Sequence, residues 1–291
     1  TADAMETLAP VDLDLMTMRR VVVKEGGCLV WGGAMGLSAA DDILIQVERP
    51  LDFDSHAQLT ASVLSKKIAA GSTHVLIDIP VGPTAKLRSR SDAEILAERL
   101  RDVGHALGIV VQVLFTDGTQ PVGKGIGPAL EAHDVLAVLN QSEGAPLDLR
   151  DRALALAGNI LELGGKAPPG GGIAEAREIL RSGAGWQKFQ AICEAQGGLR
   201  TPPLANYRRD FPAPFAGKVG SIDCRKLARI AKLAGAPNAA AAGLELRARI
   251  GHDIVRDQPL FTLHAETSGG LEYAWRYAER HAGAFTLDSS P

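Results

Sequence analysis

Cysteine is scarce in this chain, with three residues in 291, and long apolar runs are missing. Cys28, Cys193 and Cys224 are odd in number and far apart, which argues against a disulfide framework or a zinc site. Because each has apolar neighbours, we expect buried, unreactive thiols in a reducing, cytoplasmic compartment. No apolar run approaches the roughly 18 residues that cross a bilayer, so we expect no membrane partner.

Charge of one sign is also lacking, since 31 Lys and Arg residues stand against 34 Asp and Glu. The formal net charge is -3, whereas proteins that bind nucleic acids usually carry a basic patch. The charge therefore gives no reason to expect a nucleic-acid partner. The histidines are scattered, and none pairs at metal-ligand spacing. We therefore interpret His74, His105 and His264 as structural.

Strand-like and helix-like patterns alternate over the first 165 residues. Near-continuous apolar runs at residues 74–79 and 109–115 are typical of buried parallel strands, and a further short strand is predicted at residues 28–31. Capping residues and terminal glycines predict helices at residues 12–25, 55–70, 91–107, 127–140 and 147–163. This alternation predicts an α/β fold with a mostly parallel sheet flanked by helices.

The glycine- and proline-rich run at residues 164–172 is the clearest break in the sequence. We predict an α/β core at residues 1–165, linker helices at 166–210 and a small α+β module, similar to a hammerhead fold, at 211–291. The aromatic cluster of Tyr273, Trp275 and Tyr277 in the last helix is interpreted as packing.

Ser62 and Lys66 are the first candidate site residues. They lie four residues apart on a predicted helix and share a face with Leu59 and Val63. A lysine among apolar neighbours loses solvation and should seek an anionic or strongly polar partner. On the residues alone, a lysine that extends its ammonium group to water is the favoured interpretation. Asp78, near the end of a predicted strand, is either a site residue or a structural carboxylate.

Two loops have some character of anion-binding loops. Residues 119–127, the glycine-rich loop, precede a predicted helix, but their glycines do not follow the G-x-G-x-x-G spacing. Residues 81–84 follow a strand, but Pro83 removes an amide donor. We interpret residues 81–84 as a turn.

Several segments together resemble one enzyme family. They are Trp31-Gly32-Gly33, Glu48-Arg49-Pro50, residues 62–67, residues 75–86, Thr116-Asp117-Gly118-Thr119-Gln120-Pro121, residues 127–131 and Gln196-Gly197-Gly198. They resemble the thymidine/pyrimidine-nucleoside phosphorylase family, in the branch that also contains AMP phosphorylases. The family's phosphate loop, of the Lys-x-Ser-x-Gly-Gly kind, does not occur in the sequence. The chain therefore looks like the larger part of an enzyme with half of its active site removed.

The resemblance implies phosphate-dependent cleavage of pyrimidine nucleosides to the free base and (deoxy)ribose 1-phosphate. It assigns Arg49, Ser62 and Lys66 to the base and Thr1 to the phosphate. It also implies that backbone carbonyls and Glu131 hold a metal ion, either monovalent or calcium. Related enzymes are dimers, and we expect the helix at residues 54–70 to form part of a two-fold contact.

The reaction implied by the resemblance explains why cations are expected at the base. Negative charge builds on the departing base, so fixed cations such as Lys66 and Arg49 stabilise the transition state more than the ground state. Neither a covalent nucleophile nor a further cofactor is required, because phosphate is the co-substrate. Without the phosphate loop, we expect this chain alone to be inactive.

Two alternatives stay open. The aromatic residue that accompanies the base-binding arginine in related thymidine phosphorylases is absent, with Ile45 near its place. An AMP phosphorylase acting on nucleoside 5′-monophosphates is therefore the second hypothesis, with Lys86, Arg88 and Arg90 as donors to the 5′-phosphate. The third hypothesis is a non-catalytic role, in which the module from Phe211 onward binds a partner or supports assembly.

Overall fold

A computed structural model describes residues 1–33, 56–281 and 283–288. The helices there are α1 (Ala2–Glu6), α2 (Leu15–Glu25), α3 (His56–Ala69), α4 (Arg90–Ala106), α5 (Pro128–Leu139), α6 (Leu147–Leu163), α7 (Gly172–Arg181), α8 (Ala184–Gln196), α9 (Cys224–Ala234) and α10 (Ser268–Arg280). The strands are β1 (His74–Val81), β2 (Val110–Asp117), β3 (Gly125–Ile126), β4 (Tyr207–Pro212), β5 (Gly217–Ile222), β6 (Gly243–Leu246), β7 (Asp253–Ile254), β8 (Pro259–Ala265) and β9 (Phe285–Asp288). None of the helices in these ranges has the length and apolar character needed to cross a membrane.

The helix ends follow the capping signals in the sequence. Asp14 accepts a hydrogen bond from the Thr17 amide at 2.7 Å and starts α2, two residues after the predicted start, while Gly26 ends the helix in the left-handed region at φ 79°. In α4, Ser89 is the N-cap and accepts a bond from the Asp92 amide. The predicted helices within the described ranges are thus confirmed to within a few residues.

The strand predicted at residues 28–31 is wrong. These residues have no regular secondary structure, and Trp31 is 51% exposed. The apolar run is only four residues long and has no hydrogen-bonded partner strand among the described residues. A strand is stabilised by its ladder, so an apolar run without a partner does not form one.

A β–α–β motif organises residues 56–117. Strands β1 and β2 pair in parallel, with Ile77 opposite Val113 and Val81 opposite Asp117, and α4 is the crossover between them. The core of this motif consists of Leu64, Ile79, Leu87, Ala93, Leu96, Ala97 and Leu100. The predicted parallel pairing of these two strands is confirmed.

Strand β3 and the strands of residues 207–288 form two antiparallel sheets. One has the strand order β3–β6–β8–β4 and the other β7–β5–β9. Helices α9 and α10 pack on the first sheet around a core that includes Leu227, Leu244 and Phe261. The predicted packing role holds for Trp275, which lies 5.1 Å from the Phe211 ring, whereas Tyr273 is exposed. The α/β class with a small C-terminal module is confirmed.

Contacts divide the chain into two compact units, and neither is continuous in sequence. One comprises Thr1–Val11, Gly118–Asp151 and Leu180–Pro291, and the other comprises Asp12–Asp117 and Arg152–Ile179. We call them the C-terminal unit and the β–α–β unit. The predicted division at residues 165 and 210 is a division along the chain and stays a prediction.

Candidate active site

The carboxyl edge of the β1–β2 pair is the first part of the candidate site. Parallel strands end at the same edge, so the loops after Val81 and Asp117 leave side by side. After β1, the Gly82 amide donates to the Leu87 carbonyl at 3.1 Å, and the Ala85 amide donates to the Gly82 carbonyl at 3.1 Å. These bonds confirm the interpretation of the segment as a turn. The amide of Gly82 serves the fold rather than an anion.

Asp78 lies on β1 and connects three elements of this unit. Its Oδ1 accepts a hydrogen bond from the Thr116 hydroxyl at 2.6 Å, and its Oδ2 lies 3.9 Å from the Arg152 guanidinium. Arg152 also donates to the Asp117 carbonyl at the end of β2. The described contacts of Asp78 are thus structural ones, which tie β1 to β2 and α6.

Ser62 and Lys66 lie half-buried on α3, as their spacing predicts. The most buried row of this helix, however, is Thr60 and Leu64, roughly 200° around the axis from Ser62. Leu59 and Val63 only pack against the edge of the core. The Ser62/Lys66 row therefore faces away from the β1–β2 core, and Lys67 is exposed.

Further cations lie near the same edge. Lys86 and Arg88 are exposed in and after the turn that follows β1. The Arg90 guanidinium lies 3.9 Å above the Phe115 ring and pairs with Glu94 at 2.8 Å. Arg49, predicted to grip the base, lies outside the described residues.

Thr1 and Glu131, by contrast, belong to the C-terminal unit, where they line one small pocket of about 170 Å³ together with Asp3 and Lys232. The Gly127 amide donates to Glu131 Oε1 at 3.2 Å. Burial raises the pKa of the Glu131 carboxyl, although the hydrogen bond from Gly127 opposes that shift. The structure therefore brings together two residues that the resemblance assigned to different ligands.

The amides of the glycine-rich loop bind carboxylates of the protein itself. Those of Lys124 and Gly125 both donate to Asp134 Oδ2, at 2.6 and 2.7 Å, and that of Gly127 donates to Glu131. Burial raises the pKa of Asp134, and the two backbone donors oppose this. Because these three amides already have carboxylate partners, they hold the loop in a turn and do not serve as donors to a bound anion.

Within the described ranges, no three His, Cys, Asp or Glu side chains are grouped to hold a metal ion. The cation predicted at Glu131 would depend largely on backbone carbonyls, which such a grouping does not test, so it stays a prediction. Cys193 is fully buried, and burial raises its thiol pKa to about 11. Cys28 and Cys224 are only half-buried, so the expectation of buried thiols is wrong for them.

Sequence reasoning missed Thr116 and Arg152 as partners of Asp78. Thr116 is 38 residues from Asp78 along the chain, and Arg152 lies on helix α6. No local spacing signals such a contact. The parallel register, which places Pro80 opposite Thr116, is what brings the strands together.

The sequence matches one known domain family and several known proteins. Residues 218–281, which run from β5 to the end of α10, match the domain described as Pyrimidine nucleoside phosphorylase C-terminal domain. The chain is 61% identical over 287 residues to "Putative thymidine phosphorylase 1" of Acidovorax sp. (strain JS42). It is 62% identical over 282 residues to "Putative thymidine phosphorylase" of Polaromonas sp. (strain JS666), and 60% identical over 277 residues to the protein of the same name from Tolumonas auensis.

The chain belongs to the pyrimidine nucleoside phosphorylase family. These matches cover 99%, 97% and 95% of the chain. They cover 56%, 55% and 55% of the relatives. The chain thus spans about half the length of the curated relatives it matches.

Proposed function

We propose that the protein containing this chain is a thymidine phosphorylase, which cleaves pyrimidine nucleosides with phosphate to the free base and (deoxy)ribose 1-phosphate. The observation that carries this proposal is 61% identity, over 99% of the chain, to a relative whose name includes that activity. A place for the enzyme in pyrimidine salvage and a cytoplasmic location belong to the same proposal.

Lys66 and Arg49 are proposed as the cations that stabilise the departing base. Lys66 supports this role because it is half-buried on the side of α3 away from the core, so its ammonium group is partly desolvated. Ser62, one turn earlier on the same row, would donate to a base oxygen. A positive group held where negative charge develops lowers the barrier without binding the ground state equally well.

Lys66→Gln in the whole natural protein tests this assignment. We expect kcat/KM for thymidine to fall by about 10²-fold or more, the usual effect of removing one donor that stabilises developing charge. Lys67→Gln is the matched control, since Lys67 is the adjacent and exposed lysine. Equal activity of both variants would remove Lys66 from the mechanism.

Thr1, Asp78 and Lys86 complete the proposed substrate-binding set. Thr1 would contact phosphate, Asp78 would hold the carboxyl edge of β1–β2 in place, and Lys86 would contact the sugar or its substituent. Asp78 supports such a positioning role through its bonds to Thr116 and Arg152. For Asp78→Asn we expect a rise in KM that exceeds the fall in kcat.

An AMP phosphorylase is the second candidate function. The exposed cations after β1, Lys86 and Arg88, favour it because they offer donors for a 5′-phosphate. Under this alternative, Arg88→Gln would raise KM for AMP and leave thymidine cleavage unaffected. Cleavage of AMP by the unsubstituted protein is the prerequisite, and its absence would dismiss the alternative.

A homodimer is part of the proposal, with α3 in a two-fold contact. Light scattering of the whole protein tests it, and a monomer would contradict it. No cofactor beyond the co-substrate phosphate is proposed for the reaction. The predicted monovalent or calcium ion at Glu131 is tested by assaying activity after chelation and in buffers with and without potassium.

A further inference from the structure

Arg249, in the segment after β6, lies against the glycine-rich loop. One guanidinium nitrogen donates to the Pro121 carbonyl at 2.5 Å, and the other terminal nitrogen donates to the Gly123 carbonyl. The same group lies 3.3 Å from Asp148 Oδ2, and the Gly123 amide donates to that carboxylate at 3.2 Å. The largely buried guanidinium of Arg249 thus connects two carbonyls of the loop to Asp148 near the start of α6.

Neighbouring backbone groups reinforce this contact. The Ile250 amide donates to Gln120 Oε1 at 3.1 Å, and the Leu246 amide donates to the Lys124 carbonyl at 2.8 Å. Gly125 then pairs with Glu245 as β3 joins β6. The segment at residues 245–250 therefore holds the loop at nearly every residue from 120 to 125.

The guanidinium suits this position for a geometric reason. It is a planar fork that can donate to two carbonyls at once while facing a carboxylate, whereas a lysine ammonium acts as a single point charge. The Arg249 side chain is 19% exposed, so water competes little with these bonds. Arg247, two residues earlier, contacts Glu245 and Thr262 within the sheet and is a natural comparison.

The loop that Arg249 holds carries part of the family resemblance. Residues 116–121 run from β2 into it, and its first residues follow Asp117, the last residue of the strand. The loop's own amides are fixed by Asp134 and Glu131. Its carbonyls at Pro121 and Gly123 accept hydrogen bonds from Arg249, so the C-terminal segment and the loop's own carboxylate partners hold it on different sides of the backbone.

We propose that Arg249, a residue of the C-terminal domain, is a positioning residue that fixes the glycine-rich loop for substrate binding. The role in substrate binding rests on the proposed phosphorylase function; the clamp on the loop does not. Arg249 contacts no reacting atom in this account. It acts through the backbone of Pro121 and Gly123.

Two variants of the whole protein, Arg249→Lys and Arg249→Gln, test the clamp, with Arg247→Lys as the control. Amide hydrogen exchange is measured for Gln120 and residues 122–125. Loss of charge-assisted bonds should make these amides exchange about tenfold to a hundredfold faster in the Arg249 variants, and leave them unchanged in Arg247→Lys. Arg249→Lys keeps the positive charge, which guards against a variant that simply fails to fold.

Nucleoside kinetics with the same variants test the role in binding. We expect KM for thymidine to rise about tenfold in Arg249→Lys, with kcat and the melting temperature within about twofold and a few degrees of the unsubstituted protein. Unchanged exchange overturns the clamp. Faster exchange with an unchanged KM overturns the positioning role. An unsubstituted protein that cleaves no nucleoside overturns the proposed function and the role in binding together, while the exchange result still decides the clamp.

Discussion

Asp134 and Glu245 are carboxylates of the same compact unit whose pKa values shift in opposite directions. Burial raises the pKa of Asp134 despite its two backbone donors. The His264 imidazole, 3.7 Å from Glu245, and the Arg247 guanidinium, at 3.0 Å, lower the pKa of Glu245 against the effect of burial. The difference follows from the partners: Asp134 accepts from neutral amides, whereas Glu245 faces a full positive charge.

Replacing Glu245 by Gln should change how stability depends on pH. A carboxyl whose folded-state pKa is lowered contributes stability above its unfolded value, 4.5, and loses it as pH falls through the folded value. We expect Glu245→Gln to lower the free energy of unfolding by about 1 kcal/mol at pH 7. The difference from the unsubstituted chain should shrink below pH 4.5, as measured by urea unfolding at pH 7, 5 and 4.

Glu272→Gln is the matched control for that experiment. Glu272 pairs with Arg276 at 2.8 Å on the exposed side of α10, where an ion pair contributes little. Asp134 should behave in the opposite sense to Glu245, because stability linked to its neutral form is lost as pH rises through its raised pKa. A Glu245→Gln difference that grows as pH falls would contradict this account.

Local spacing predicted part of the candidate site at the residue scale, but not its contacts. It placed Ser62 and Lys66 on one face of a helix, which the structure confirms. It did not show that Thr60 and Leu64 form the buried row, because that depends on which side of α3 meets the sheet. The contact between Asp78 and Arg152 depends on tertiary packing for the same reason.

At the scale of elements, the crossing of α6 and α7 depends on two glycines. A β-carbon on Gly158 would lie 2.6 Å from the Ile173 amide nitrogen, and one on Gly172 would lie 2.1 Å from the Gly158 carbonyl oxygen. Both neighbours are backbone atoms, which cannot move aside as a flexible side chain can. The two helices can therefore approach this closely only because both positions lack a side chain.

Gly158→Ala should destabilise the chain by about 1–3 kcal/mol, because the added methyl group forces α6 and α7 apart. Gly269→Ala in α10 is the control, since nothing lies within 4 Å of its β-carbon position. Alanine is the better helix former, so this control should be neutral or up to about 1 kcal/mol stabilising. Urea unfolding measures both, and equal effects would show that the close approach is not required.

Helices were easier to predict than strands, for a physical reason. A helix closes its hydrogen bonds within one segment, so capping residues such as Asp14 and Ser89 indicate its ends. A strand needs a partner. Residues 28–31 had the right composition but no paired strand in the part of the chain that the structure describes, while the two-residue β3 formed because β6 pairs with it from residues 244–245.

At the scale of the whole molecule, the chain passes between its two units four times, after Val11, Asp117, Asp151 and Ile179. Composition indicated a break at residues 164–172, which lies inside the β–α–β unit. Glycine and proline mark turns, but a boundary between compact units is set by which residues are in contact. The class of the fold was predicted correctly from the sequence, whereas the division at residues 165 and 210 stays a prediction.

We propose that this chain carries base-binding residues of a nucleoside phosphorylase, and a loop of the Lys-x-Ser-x-Gly-Gly kind does not occur in its sequence. The most direct measurement is phosphate-dependent base release by the whole natural protein, offered thymidine, uridine, AMP and CMP separately, with this chain alone as control. We expect release from thymidine or uridine by the whole protein and none by the chain alone, because phosphate is not positioned without the loop. Turnover by the chain alone, or a whole protein that cleaves neither pyrimidine nucleoside, would contradict the account.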